Sequence, residues 1–334
     1  MEEEKIISVS VLIAAYNEGK RISKCLDSLI NQTLKNIQIL CVNDASTDNT
    51  LEVLNQYAAK DSRIVVVDST VNSRFPSKAR NKALGYVKGQ YITMIDADDY
   101  VDADYLEKAY KMAIETGADS VVNKHIAWNE PIPMPREEDF KTGSVITGKE
   151  ALIACLDDWK IHAQCIWNMD LFADNYRFDE SGMFGCEFST IYLYSKCKTV
   201  AFANGVYYYC DNAASMTHQK DDRTFDLLNK QMKIRDLMKK NDIYEMFFHT
   251  FESRNLTLLK QYHYLYFKLR RQWTKEKNAE IKQLLMKFYN SFNRNDVYIL
   301  ETNKTPTNTM LNKIRFSSYT LFYCTAWILS KFVK

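Results

Sequence analysis

The segment Asp96-Ala97-Asp98-Asp99 puts three carboxylates in four residues. Side chains this close repel one another when ionised, and a hard divalent cation with oxygen ligands relieves them. The plain alternative is a solvated turn in which Asp99 or Asp102 caps the next helix. Two other stretches share the acidic, polar character: Tyr16-Asn17-Glu18-Gly19 and Asn43-Asp44-Ala45-Ser46. A carboxylate such as Asp44 can accept from a nucleobase N–H. One such as Asp98 can hold a metal that bridges a diphosphate. Mg2+ and Mn2+ bind through one or two carboxylates plus substrate phosphates, so a nucleoside diphosphate would satisfy all three stretches together. Neither GxGxxG nor GxxxxGK[ST] occurs, which argues against an ordinary dinucleotide site and a P-loop.

Each polar stretch ends a short apolar run. Val9–Ala15 is continuous and apolar, as in a strand buried on both faces. Ile22, Cys25, Leu26, Leu29 and Ile30 follow at helical spacing. Ile37–Val42 predicts a second strand, with Asp48 capping a helix that carries Leu51, Leu54 and Tyr57. Ile64–Val67 predicts a third strand, and Ser77 opens a helix that Gly89 stops. Tyr91–Ile95 is then the strand that ends in the acids. This alternation continues to about residue 123 and predicts βα units around a mostly parallel, doubly wound sheet. Ligands of such sheets sit at the carboxyl ends of the strands. Pro131, Pro133 and Pro135 predict a loop or extended excursion over 124–148. From 222 to about 290 the pattern is helical, with neither Gly nor Pro.

The segment from Val9 to about Met216 resembles a family 2 glycosyltransferase of the bacterial polysaccharide or glycan type. The resemblance rests on Ala15-Tyr16-Asn17, Asn43 to Asp48, Ala79-Arg80-Asn81, Asp96 to Asp99, Trp167-Asn168, Phe184 to Glu187, Tyr207 to Tyr209, and Ser215-Met216-Thr217, in that order. It implies an α/β GT-A fold, Rossmann-like with flanking helices, in residues 1–220, and leaves 221–334 as a helical C-terminal extension. It implies an inverting, metal-dependent transfer from a UDP-sugar to a glycan or lipid-linked glycan, with Mn2+ or Mg2+. Ala14, Ala15, Tyr16 and Glu18 would border uracil and ribose. Asp44 would accept from the uracil ring, Arg80 would face the uridine or phosphates, and Asp96 with Ala97 would hold the ribose. Asp98 would ligate the metal, and His218 would close over the diphosphate or complete the metal shell. Glu187 would be the base that deprotonates the acceptor, with Asp211 a weaker candidate. The sequence departs from the family at Cys186, where an acidic residue is usual, and at Asn72-Ser73-Arg74-Phe75-Pro76, where glycines are common. Trp167 could stack on an acceptor sugar or fill the core.

Residues 1–220 carry a net charge of −8 and residues 221–334 a net of +10, within a chain of +2 overall. The basic, aromatic tail over 260–334 suits an anionic membrane surface, with 314–334 lying in the interface. Packing on the protein itself or in a homodimer is the other use of that stretch. An acidic front and no recognised motif argue against nucleic acid. The eight cysteines form no CxxC pair and are read as reduced. With no signal-like start and no spanning run, the expectation is a cytoplasmic protein, peripheral at the inner face of the plasma membrane. The reading from another class is a non-catalytic sugar-nucleotide-binding or membrane-scaffold protein.

Overall fold

The computed structural model describes residues 6–157, 159–212, 221–293 and 316–330. Two compact units divide the chain: Met1–Glu180 with Gly185–Ser215, and Ser181–Phe184 with Met216–Lys334.

The first unit is built on one sheet. Its N-terminal half comprises β1 (Val9–Ala15), β2 (Ile37–Asp44), β3 (Ile64–Ser69) and β4 (Tyr91–Met94), in the order β3-β2-β1-β4 and all parallel. The chain leaves β1 in one direction and returns to its other side at β4. That reversal opens a crevice at the strands' carboxyl ends. Helices α1 (Ile22–Ile30), α2 (Thr50–Ala58) and α3 (Pro76–Leu84) make the crossovers. Ile22, Cys25, Leu26 and Leu29 of α1 are fully buried with Val9, Val11 and Ile13, the face that the helical spacing predicts. Helix α3 ends at Gly85, not Gly89. Gly89 has a different duty: a Cβ there would run into the backbone N of Ser10.

Beyond β4 the sheet is mixed. β5 (Tyr100–Val101), α4 (Tyr105–Thr116) and β6 (Ser120–Ala127) follow. β9 (Cys165–Asn168) lies antiparallel between β4 and β6, and β10 (Thr199–Tyr209) lies parallel to β6. The Pro131–Pro135 segment takes the extended form of the two expected, not the loop. It is largely β7 (Glu130–Met134), an edge strand antiparallel to β6. An edge tolerates proline because its outer side needs no donor. β8 (Val145–Thr147) pairs with β10 and leads into α5 (Gly148–Leu156), which Thr147 and Glu150 cap reciprocally. α6 (Gly185–Tyr194) precedes β10. The α/β fold with flanking helices and C-terminal helices is borne out.

The second unit is helical, as the pattern after 222 predicts: α7 (Asp226–Lys240), α8 (Tyr244–Leu269), α9 (Lys275–Asn290) and α10 (Tyr319–Leu329). Leu228, Leu256, Leu259, Leu285, Phe288 and Phe322 form its core. Arg235 of α7 makes a two-pronged ion pair with Glu252 of α8, at 2.6 and 2.7 Å, both side chains buried. α10 is shorter than the stretch expected to lie in an interface. It buries Phe322 and Ala326 and leaves Leu321, Trp327, Ile328 and Leu329 exposed.

Candidate functional site

The loops after β1 and β2 are laced together. Asn17, at a φ of 57°, accepts from Thr47 N at 2.8 Å, and its own N donates to Ser46 Oγ at 3.1 Å. Glu18 N donates to Thr50 Oγ1 at 2.8 Å, and Gly19 N donates to Asp48 at 3.1 Å. A left-handed Asn is tolerated because its short amide bonds locally. The lacing fixes both loops at the crevice and leaves Tyr16 exposed above it. Ala14 is half-buried, while Ala15 and Ala97 lie in the core, so those two offer only main chain to a ligand.

Asp44 ends β2, buried, with three bonds to its carboxylate and acceptor capacity left on Oδ2. Ser73 donates to it through N and Oγ, both at 2.7 Å, and Lys82 pairs with it at 3.1 Å. Asn72 donates to the Asp44 carbonyl at 2.9 Å. The loop that departs from the family's glycine-rich form is thus the loop that holds Asp44.

The acids after β4 have distinct environments. Asp96 pairs with Arg80 of α3, a buried guanidinium whose Nη1 also donates to Cys186 Sγ at 3.0 Å. Asp98 accepts from Asn212 at 2.6 Å. Burial, then repulsion from Asp96, raises its pKa. Glu18 also has a raised pKa, from burial first and with Asp98 adding, although Arg21 donates to it at 2.7 Å. Asp99 caps no helix; α4 starts after Asp104. Asp99 instead accepts from the Tyr207 hydroxyl and from Cys210 N at 2.8 Å, tying the acidic loop to the end of β10. Burial, with Asp96 adding, pushes it up to about 8.

Glu187 lies half-buried in the first turn of α6, where the helix dipole favours a negative charge. Gly185 sets that turn: a Cβ there would run into the Asp179 carbonyl. Trp167 is fully buried against Tyr194, with ring centroids 4.8 Å apart, so it is core and does not face an acceptor. Asp211 is exposed. His218 lies outside the described residues.

The profile described as Glycosyl transferase family 2 matches residues 10–155. The chain carries a family 2 glycosyltransferase domain. One curated relative is the poly(ribitol-phosphate) beta-glucosyltransferase of Bacillus spizizenii, 42% identical over 120 residues, which are 35% of this chain and 19% of that protein. Another is glycosyltransferase GlyA of Streptococcus pneumoniae, 38% identical over 122 residues, 36% of this chain and 17% of that protein. The chain therefore matches less than a fifth of either relative's length. Among solved structures, S. aureus TarS 1–349 in complex with UDP-GlcNAc superposes with a TM-score of 0.67 at 19% identity, over 97% of this chain and 89% of that one. At that identity the likeness shows the fold, which is GT-A.

Within the family 2 domain and its continuation, the structure forms two sets of polar contacts, Arg80 with Asp96 and Cys186, and Asn212 with Glu18 and Asp98. Sequence reasoning missed Asn212, Tyr207, Ser73 and Lys82 as supports. Only Tyr207 carried a local signal, as the start of a tyrosine run closing a strand. Among the described residues, no three His, Cys, Asp or Glu side chains converge as a ready metal cage.

Proposed function

We propose that the chain is an inverting, metal-dependent glycosyltransferase that moves a sugar from a UDP-sugar to a hydroxyl of a cell-surface polysaccharide or other glycan. The observation that carries this reading is the acidic edge at the switch point of a GT-A sheet, with Arg80 bridging Asp96 to the start of the Glu187 helix. The residues fit a divalent ion. Asp98 and Glu18 supply hard oxygen atoms, and both have pKa values raised by burial first, with Asp96 adding at Asp98 and Asp98 adding at Glu18, a cost that a cation removes. When bound, Mn2+ or Mg2+ would neutralise charge on the departing diphosphate. Asp98 would hold it, with His218 completing its shell or closing over the diphosphate.

The protein's own groups do the rest. Tyr16 and the laced loops flank the uridine, Asp44 orients the base, and Asp96 and the main chain at Ala97 hold the ribose. Arg80 keeps Asp96 in place and faces the phosphates. Glu187 takes the proton of the acceptor hydroxyl as its oxygen bonds to the anomeric carbon, while the carbon–oxygen bond to UDP breaks on the opposite face. The configuration inverts because attack and departure are in line.

The test is a screen for UDP release across UDP-sugars with Mn2+ and Mg2+, repeated with Asp98→Ala and Glu187→Gln. Turnover falls by about 10²-fold or more in each variant. Wild-type rates in either would remove that residue's role. UDP binding by calorimetry with no product from any donor would favour the non-catalytic reading.

The exposed Leu321, Trp327, Ile328 and Leu329 of α10, in a region of net charge +10, support contact with an anionic membrane surface at the inner face of the plasma membrane. Among the described residues no helix is long and apolar enough to cross a membrane. Trp327→Ser with Ile328→Ser should release the protein from phosphatidylserine vesicles at low salt. Unchanged pelleting would end this part of the proposal.

A further inference from the structure

His125 and His162 meet one strand beyond the acidic edge. β9 runs antiparallel to both β4 and β6, with Thr93 opposite Ile166 and Val122 opposite Cys165. The link to the acidic edge runs through Tyr207, the ladder neighbour of His125, whose hydroxyl accepts from Asp96 N at 3.2 Å. The two histidine rings pack edge to face, with centroids 4.4 Å apart. Along β6, Asn123 and His125 share a face, and Tyr207 sits beside His125 in the parallel ladder.

This corner is rich in unmet polar groups. His125 Nδ1, His162 Nε2 and Gln164 Oε1 are buried with no hydrogen-bond partner among the described residues. Each such group costs about 1–3 kcal/mol, which a ligand with matching groups removes. Glu130, on the neighbouring β7, is the charged group that acts on His125. Lys124 faces the other side of β6, its ammonium taken by Glu137 at 3.0 Å and by the Pro135 carbonyl at 2.6 Å. Burial lowers the pKa of both histidines, so the rings stay neutral near pH 7. A neutral imidazole offers one N–H and one lone pair, the same pairing a hydroxyl group offers in return. An anion finds no positive charge here. Both histidines are half-buried, so their outer edges face solvent.

Building on the transferase reading, we propose that His125, His162 and Gln164 form the acceptor well of this chain. They take an uncharged, hydroxyl-rich group, a sugar ring or an open-chain polyol, and set it beside the donor edge.

The test uses the full chain, the UDP-sugar it turns over, and three uncharged acceptor probes: ribitol, methyl β-glucoside and methyl β-N-acetylglucosaminide. His125→Ala and His162→Ala raise the acceptor KM by about tenfold or more while the donor KM stays put. Gln at either position recovers the loss, because it restores a hydrogen-bonding group, and Leu does not. In the wild type, two of the imidazole proton signals shift when UDP and an acceptor probe are added together. An acceptor KM indifferent to both Ala variants, recovery by Leu as complete as by Gln, or imidazole signals that ignore every probe would each overturn the proposal. Failure of every donor to react sinks the transferase reading instead, whereas a working enzyme whose acceptor KM ignores both histidines sinks only this one.

Discussion

Cys186 Sγ lies 3.0 Å from Nη1 of Arg80, and the same guanidinium closes on Asp96. One buried cation thus joins the acidic loop after β4 to the first turn of α6, at the residue next to the carboxylate read as the base. The bridge needs a planar fork with several donors, which an ammonium cannot supply.

Arg80→Lys therefore loses one arm of the bridge. The donor kcat/KM should fall by about tenfold or more, and the folded state should lose about 1–3 kcal/mol. Steady-state kinetics and urea unfolding check both numbers. Wild-type kinetics with lowered stability would leave Arg80 a structural residue only.

Asp44→Asn removes the charge that meets Lys82 and weakens the bonds from Ser73. Because Asp44 is buried, the cost should be about 1–3 kcal/mol. UDP affinity, read by calorimetry, should drop as well, because the loop over 72–76 loses its anchor. Stability lost with UDP affinity intact would separate the loop from the base site.

Gly185→Ala forces α6 away from the Asp179 carbonyl. Overpacking of this kind costs about 1–3 kcal/mol. The expected kinetic signature is a lowered kcat with near-normal UDP affinity, since Glu187 moves and the uridine pocket does not. Equal loss of both would place the effect on the whole fold.

His162 is pushed down to about 3 by burial and by its neighbour His125. An unfolded histidine titrates near 6.5. Between those values the unfolded state binds the extra proton, so this group's contribution to stability is present above about pH 6.5 and fades as the pH falls toward 3. His162→Gln should lose less stability than the wild type between pH 7 and pH 5 in urea unfolding. Parallel pH profiles would show that His162 is not held neutral.

Within α10, Phe322 is fully buried while Ile328 is half exposed. Phe322→Ala should cost about 3–5 kcal/mol and Ile328→Ala almost nothing. Thermal unfolding of the two variants checks the assignment of the helix's inner face.

Some of this was legible in the residues. The Val9–Ala15 run and the Ile22, Cys25, Leu26, Leu29 spacing reach the folded chain intact, because period and burial are local properties. The prolines at 131–135 left loop and extended chain both open, because a strand at a sheet edge can dispense with donors that an inner strand needs. Trp167 could not be assigned from its type, since the same ring serves as core or platform, and only burial decides. The bonds from Ser73 and Lys82 to Asp44, and from Asn212 to Asp98, join residues far apart in sequence; nothing in their immediate neighbours announces them.

Calorimetric titration of UDP with and without Mn2+, in the wild type and in Asp98→Asn, tests the acidic edge itself. Mn2+ should tighten UDP binding in the wild type by about tenfold or more, and Asp98→Asn should abolish that gain. UDP bound equally well without the metal, or a gain that survives in Asp98→Asn, would contradict a metal-dependent donor site at Asp98.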